Sequence, residues 1–249
     1  MSLRHIPSGI LLLAVGATSS GNALQGSHAA PWITLHPSRV TGGASVMVTV
    51  LGPSGATVHV VTSNPGLASL PEDKKAIPEG TNQVSFVVLT HPVAGNPNAV
   101  TDPPTVDLIA QKMFPGGGPQ DPPRPDGPAQ KVTLIVLPAT LGSFTLSASS
   151  VKGGLPVNGE VRLTGPAPAG GITISLASKV TGGEQPQRAG PGQRVGSLVS
   201  VPAQVTVPAG SSASSFRVTT RPVTAAIRAE VAASYGAFNT KTVGMTITP

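Results

Sequence analysis

Residues 77–93 read IPEGTNQVSFVVLTHPV and residues 207–223 read VPAGSSASSFRVTTRPV, one turn and strand written twice. At a constant offset of 130, eight of the seventeen positions are identical: Pro78/Pro208, Gly80/Gly210, Ser85/Ser215, Phe86/Phe216, Val88/Val218, Thr90/Thr220, Pro92/Pro222 and Val93/Val223. The physical content is plain. A Pro-x-Gly turn leads into a strand whose alternate residues Val84, Phe86 and Val88 share one face, and a proline then ends the pairing. A duplicated turn and strand implies a duplicated domain.

The rest of the chain can be laid out on that plan. The first copy begins near Trp32 and runs through SVMVTVL (45–51), TVHVVTS (57–63), the repeated strand, TVDLIAQ (105–111) and KVTLIVL (131–137). In the second copy Val151-Lys152-Gly153-Gly154 answers Val40-Thr41-Gly42-Gly43 at offset 111, and Gly165-Pro166 answers Gly52-Pro53. ITISLAS (172–178) aligns with 56–62 at offset 116, which keeps Val58, Val60, Ile174 and Leu176 inward; a one-residue slip would bring in His59 instead. Short alternating strands, turn signals every 8–12 residues or so and no helical period predict an all-β protein of two tandem immunoglobulin-like β-sandwiches. The expected boundaries are 32–138 and 143–249, with 139–142 as a linker. A closed barrel is the alternative, but a two-sheet sandwich better accommodates short, proline-interrupted edges.

Composition narrows the class. A chain of 249 residues has room for two ordinary domains. Glycine (30 residues) and proline (27) together stay below the share, about 25–30%, at which disorder is the default reading. The net charge of +6 comes from scattered bases in a chain only 10% charged; the single adjacent pair, Lys74-Lys75, follows Glu72-Asp73. That pattern argues against nucleic-acid binding, which needs clustered phosphate contacts. Cysteine is absent, which excludes disulfides, thiolate metal sites and a cysteine nucleophile. One Trp and one Tyr leave little for aromatic stacking platforms.

Residues 1–31 are expected to be an export signal and a short tail. Arg4 and His5 precede the apolar run Ile10–Val15, and small residues follow, with cleavage after Ala23 or Ala29. The run is too short for a membrane span, which takes about 20 residues. The mature chain is therefore expected to lack a transmembrane segment and to be exported: extracellular, on the cell surface or in the periplasm.

Two segments depart from the repeat. Residues 113–130, MFPGGGPQDPPRPDGPAQ, stand where the second copy has the tight turn Tyr235–Asn239, and residues 179–197, KVTGGEQPQRAGPGQRVGS, replace the turn Asn64–Gly66. Binding residues concentrate on such exposed loops, which makes Met113, Phe114, Arg124, Arg188 and Arg194 the candidate contacts.

Three stretches of the second copy, LTGPAPAGGITISLAS (163–178), SVPAQVTVPAGSSASSFRV (200–218) and ASYGAFNTKTVGMTITP (233–249), make it resemble a bacterial immunoglobulin-like repeat. The first copy matches more loosely. The resemblance implies tandem modules of secreted and cell-surface proteins that serve as spacers, stalks or adhesive units, and it carries no catalytic residues.

The residues supply none either. His36, His59 and His91 are isolated, without His-Glu-x-x-His spacing, and no Gly-x-Ser-x-Gly elbow occurs. The acids form no Asp-x-Asp-x-Asp-Gly calcium loop. No cofactor or metal is expected. The expected function is that of a non-catalytic structural or adhesive protein whose partners are other exported or surface proteins or glycans. One alternative is a ligand- or glycan-binding module using the long loops; another is a fibre or surface-layer subunit associating through its edge strands.

Overall fold

Where Val, Ile and Leu alternate with polar residues the chain is a strand with its apolar side inward, because successive side chains of a strand point to opposite faces. The computed structural model describes residues 31–96, 102–114, 124–182 and 198–249, and among these there is no helix. The expected export signal lies outside the described residues. The first half comprises β1 (Ile33–His36), β2 (Arg39–Thr41), β3 (Ser45–Leu51), β4 (Thr57–Thr62), β5 (Ala68–Ser69), β6 (Lys74–Ala76), β7 (Gln83–Thr90), β8 (Thr105–Phe114), β9 (Arg124–Pro125) and β10 (Gln130–Leu137). The second comprises β11 (Leu141–Leu146), β12 (Ser150–Lys152), β13 (Val157–Leu163), β14 (Ile172–Gly182), β15 (Val199–Ser200), β16 (Gln204–Val207), β17 (Ala213–Thr220), β18 (Ile227–Tyr235) and β19 (Asn239–Thr248).

The halves share one topology. The sheet β1-β3-β7-β5 faces β2-β10-β8-β4-β6, to which β9 is added beside β8; the second half repeats this as β11-β13-β17-β15 and β12-β19-β18-β14-β16. In each half the short second strand pairs parallel with the last: Val40 opposite Val136, and Val151 opposite Ile247. These are two immunoglobulin-like sandwiches. Each closes on its own apolar interior, one built around Phe86, Val48, Val58 and Leu108, the other around Val161, Ile174, Val231 and Ile247. Burying each such side chain contributes about 1.5–3 kcal/mol.

Three details differ from the sequence-based expectation. Residues 139–142, read as a linker, include Ala139 and Leu141, both buried in the second core, and β11 starts at Leu141. The apolar residues that leave the first sandwich are thus the first to enter the second. Both insertions are also shorter than expected. Met113 pairs with Thr57 and Pro125, and Lys179 and Val180 pair with Glu230 and Ala229, so 113–114 and 179–182 are strand. Finally, Phe86 is fully buried opposite Val48, whereas Phe216 is half-buried. Phe216 stands opposite Gly159, and its ring lies where a Cβ at that glycine would be, Cε1 only 2.7 Å away. The ring covers the bare backbone and stacks on Phe144 at 5.9 Å between centroids, the usual remedy for a glycine inside a strand.

Residues 31–249 form one compact unit. The two sandwiches touch through glycine turns: a Cβ on Gly43 would collide with the Pro166 ring, and one on Gly165 would lie 2.6 Å from Thr41 Cγ2.

The only buried polar side chains among the described residues are Thr90 and Thr220, the same position in the two copies. Gly43 N–H donates to Thr90 Oγ1 (3.1 Å), whose hydroxyl donates to the Ala44 carbonyl. Gly154 N–H donates to Thr220 Oγ1 (3.1 Å), and that hydroxyl donates to the Leu155 carbonyl at 2.7 Å. Gly43 and Gly154 take φ of 94° and 90°, which L side chains rarely adopt. The hydroxyl thus holds a left-handed turn against the strand that crosses it.

In the first copy Gly43 N–H also reaches the Thr90 carbonyl (3.1 Å), and the Ala44 carbonyl also accepts from Thr90 N–H (3.0 Å). Thr90→Val and Thr220→Val should therefore each cost about 0.5–1.5 kcal/mol, with Thr220→Val the larger, because the second pair of bonds is seen in the first copy, read from urea denaturation midpoints. Gly159→Val should destabilise by about 1–3 kcal/mol in the same assay, because Phe216 must swing off Phe144.

Candidate functional site

Of the five candidate contacts, the structure brings three together. Beyond Ala110, where its pairing with Gln130 ends, β8 continues as a ribbon with β9: Met113 faces Pro125, and Phe114 faces Arg124. The ribbon is anchored from below. Asp126 N–H donates to the Lys112 carbonyl (2.7 Å), and Gln111 Nε2 donates to the carbonyls of Lys112 and Gly127, both at 3.0 Å. Gly127 takes a φ of 74° to turn the chain back toward β10. Lys112 Nζ sits 4.6 Å from the Trp32 ring centroid, and Trp32 N–H donates to Gln130 Oε1 at 2.9 Å. A cation–π contact of this kind contributes about 0.5–1 kcal/mol at a surface. Arg188 and Arg194 lie outside the described residues.

Sequence reasoning missed Gln111, Lys112 and Trp32, which make this end of the sandwich firm. The one available signal was that Trp32, the chain's single tryptophan, opens the first copy. Nothing in the local pattern said that a lysine eighty residues on would cover it.

On the outer face of the larger sheet an acid stands at the same strand position in each half, and the two are neutralised from opposite sides. Asp107 on β8 accepts from Lys131 Nζ (2.8 Å) and Thr133 Oγ1 (2.6 Å), both on β10. Glu230 on β18 pairs with Lys179 on β14 at 2.9 Å. These hydrogen bonds, that of Lys131 first and that of Thr133 second, hold the Asp107 carboxyl below its ordinary value.

Two further polar pairs flank a surface groove of about 350 Å³ in the first half, bordered by Val60, Val61, Ser69 and Asp73. His59, half-buried on the outward side of β4, is bonded to Asp73 at 3.0 Å. Ser69 Oγ lies 3.1 Å from His91 Nε2. A hydrolytic triad needs one imidazole between the serine and the acid, and here the two imidazoles are different residues. Among the described residues no group of three or more His, Asp or Glu could hold a metal ion.

The outer face of the smaller sheet differs between the copies. In the first half Met47, Val87 and Leu89 are 53%, 45% and 41% exposed and lie together on β3 and β7, an apolar patch. The equivalent positions of the second half are Asn158, Arg217 and Thr219, and Glu160 pairs with Arg162 at 2.8 Å on the same face.

No protein-family model matches the sequence, and no curated protein matches it. Solved structures similar to it include the Yersinia pseudotuberculosis adhesin InvE (12% identity, TM-score 0.35), matched over 86% of this chain and 58% of that one. A glycosyl hydrolase family 2 member from Bacteroides cellulosilyticus matches at 11% identity and TM-score 0.30, over 84% of this chain and 23% of that one. The class 5 fimbriae chaperone CfaA matches at 10% identity and TM-score 0.27, over 87% and 99%. At these TM-scores the likenesses carry no argument about activity or partner. Among the described residues no helix is long and apolar enough to cross a membrane.

Because its folded pKa is depressed, Asp107 contributes stability that is present above the unfolded value and lost as pH falls through the folded one. Carboxyl carbon NMR should place the Asp107 midpoint below the ordinary aspartate value in the parent protein and move it upward in Lys131→Met.

Proposed function

We propose that the chain is a non-catalytic exported protein, a structural and adhesive unit whose two sandwiches space and present binding surfaces outside the cytoplasm. One observation carries this reading: the copies keep the same cores, turns and buried threonines and diverge on their outward faces and insertions. Residues that fold the module are repeated; residues that meet the surroundings are not. The first half offers an apolar patch at Met47, Val87 and Leu89 and an anchored ribbon at Met113, Phe114 and Arg124, the two surfaces a partner would engage. The His59–Asp73 and Ser69–His91 pairs sit separately at the surface, which favours binding over catalysis.

Fibre formation by strand addition is the weaker reading. Among the described residues no strand that ends a sheet is longer than six residues, and short edges are poor templates for pairing with another chain.

The test is location and binding together. The full chain should be reached by an impermeant labelling reagent on intact cells or released with the periplasm, and should bind surface proteins or polymers. Met47→Lys/Val87→Glu, or deletion of 115–123, should reduce that binding about tenfold or more while shifting the denaturation midpoint little. Retention in the cytosol would overturn the reading, and undiminished binding by both variants would remove its adhesive part.

A further inference from the structure

The outer face of the larger sheet in the second half holds a cleft of about 510 Å³, within the usual range of small-ligand sites. Its lining includes Ser149, Ser150, Thr181, Arg228, Gly244 and Thr246. Three features built it, read against the first half, where β4 ends at Thr62, before the position of the bulge in β14.

The floor is open because of a glycine. Thr133 of the first half fills the position equivalent to Gly244, where it donates to Asp107. A Cβ on Gly244 would meet nothing within 4 Å, so the space is real and is not already occupied by a neighbour. The wall is re-aimed by a bulge. The register of β14 against β18 shifts between Val180 and Gly182, and Thr181, the extra residue, lines the cleft. Bulges of this kind redirect a side chain and recur beside binding sites. The charge is uncompensated. Glu230 at the cleft's edge is neutralised by Lys179, and among the described residues Arg228 has no acidic partner.

We propose that this cleft binds a carboxylate-bearing sugar, the Arg228 guanidinium taking the carboxylate and the Ser150, Thr181 and Thr246 hydroxyls taking ring hydroxyls. A guanidinium matches a carboxylate in a bidentate fork, and one uncompensated cation matches one negative charge. Among the described residues no aromatic side chain lines the cleft, so a neutral sugar finds nothing to stack on there and the charge carries recognition. Ser150 and Thr246 face each other across the β12–β19 pair, so their hydroxyls are held on strands and need no ordering on binding. The site goes beyond the spacer reading and does not depend on it.

The full chain is titrated by calorimetry with oligogalacturonate, N-acetylneuraminate, a neutral cello-oligosaccharide and dextran sulfate. Saturable binding of at least one carboxylated probe is expected, with the neutral sugar inert. Arg228→Gln and, separately, Gly244→Thr should each weaken it about tenfold or more. Gly244→Thr copies the residue of the first half into open space and should keep the denaturation midpoint, and Arg162→Gln, on the other sheet, should change nothing. The proposal is overturned if neither carboxylated probe saturates below roughly 10 mM. Equal binding of dextran sulfate, or variants that bind like the parent, would also overturn it. A negative result leaves the exported-spacer reading standing, whereas cytosolic retention would remove that reading and leave the measured affinity intact.

Discussion

In both sandwiches a buried threonine hydroxyl ties the same left-handed turn to the strand that crosses it. To build two facing sheets from one chain, the polypeptide must visit the second sheet with three residues and return at once to the first, and it does so through a Gly-Gly turn. The positive φ at Gly43 and Gly154 makes that return geometrically open, but an open turn left to itself would sample many conformations. Thr90 and Thr220 close the choice by accepting from the turn's amide and donating to the next carbonyl. With the turn held, β2 and β12 lie parallel to the closing strands β10 and β19, and the apolar edges of both sheets are sealed. A serine would supply the same oxygen. The β-branched methyl of threonine also fits a strand and reduces the side-chain freedom lost on burial.

The duplication works as an internal control. Because the register is common to both halves, any side chain that differs at a shared position can be compared with its counterpart at fixed backbone geometry. Asp107 and Glu230 show how this separates fold from chemistry. Each is an acid at the same place on the same strand, yet one is covered by Lys131 and Thr133 from the strand to one side and the other by Lys179 from the strand opposite. The fold requires only that the acid be neutralised. Which side supplies the cation decides whether a cleft is left open.

The alternation of Val, Ile and Leu was enough to read the strands, their inward faces and the offsets between copies, since burial of one face enforces a register that a single slip would invert. The identity of Thr90 with Thr220 was visible, but its purpose was not, because the partners are backbone groups that no sequence pattern marks. The ends of β8 and β14 were misread as loop. Met113 and Phe114 open a proline- and glycine-rich run and Lys179–Gly182 have the polarity of a loop, yet both are strand because β9 and β18 supply pairing partners from a distance. The cleft was not legible at all. It needs Gly244, a bulge at Thr181 and a lone arginine on three strands at once, and each alone is an ordinary surface residue.

The turn that the buried threonines hold has a second use. In the first copy Gly43 passes under the Pro166 ring and Thr41 packs against Gly165, so the Gly-Gly corner of one sandwich nests on the Gly-Pro corner of the next. Each module bears both corners, a plug at one end and a socket at the other. One plug and one socket are mated in this chain, and Gly153-Gly154 and Gly52-Pro53 are the pair that this joint leaves unused. Lys152 stands in the second copy where Thr41 stands in the first, so the joint is built from turns that both modules carry and closed by a small side chain that only the first supplies.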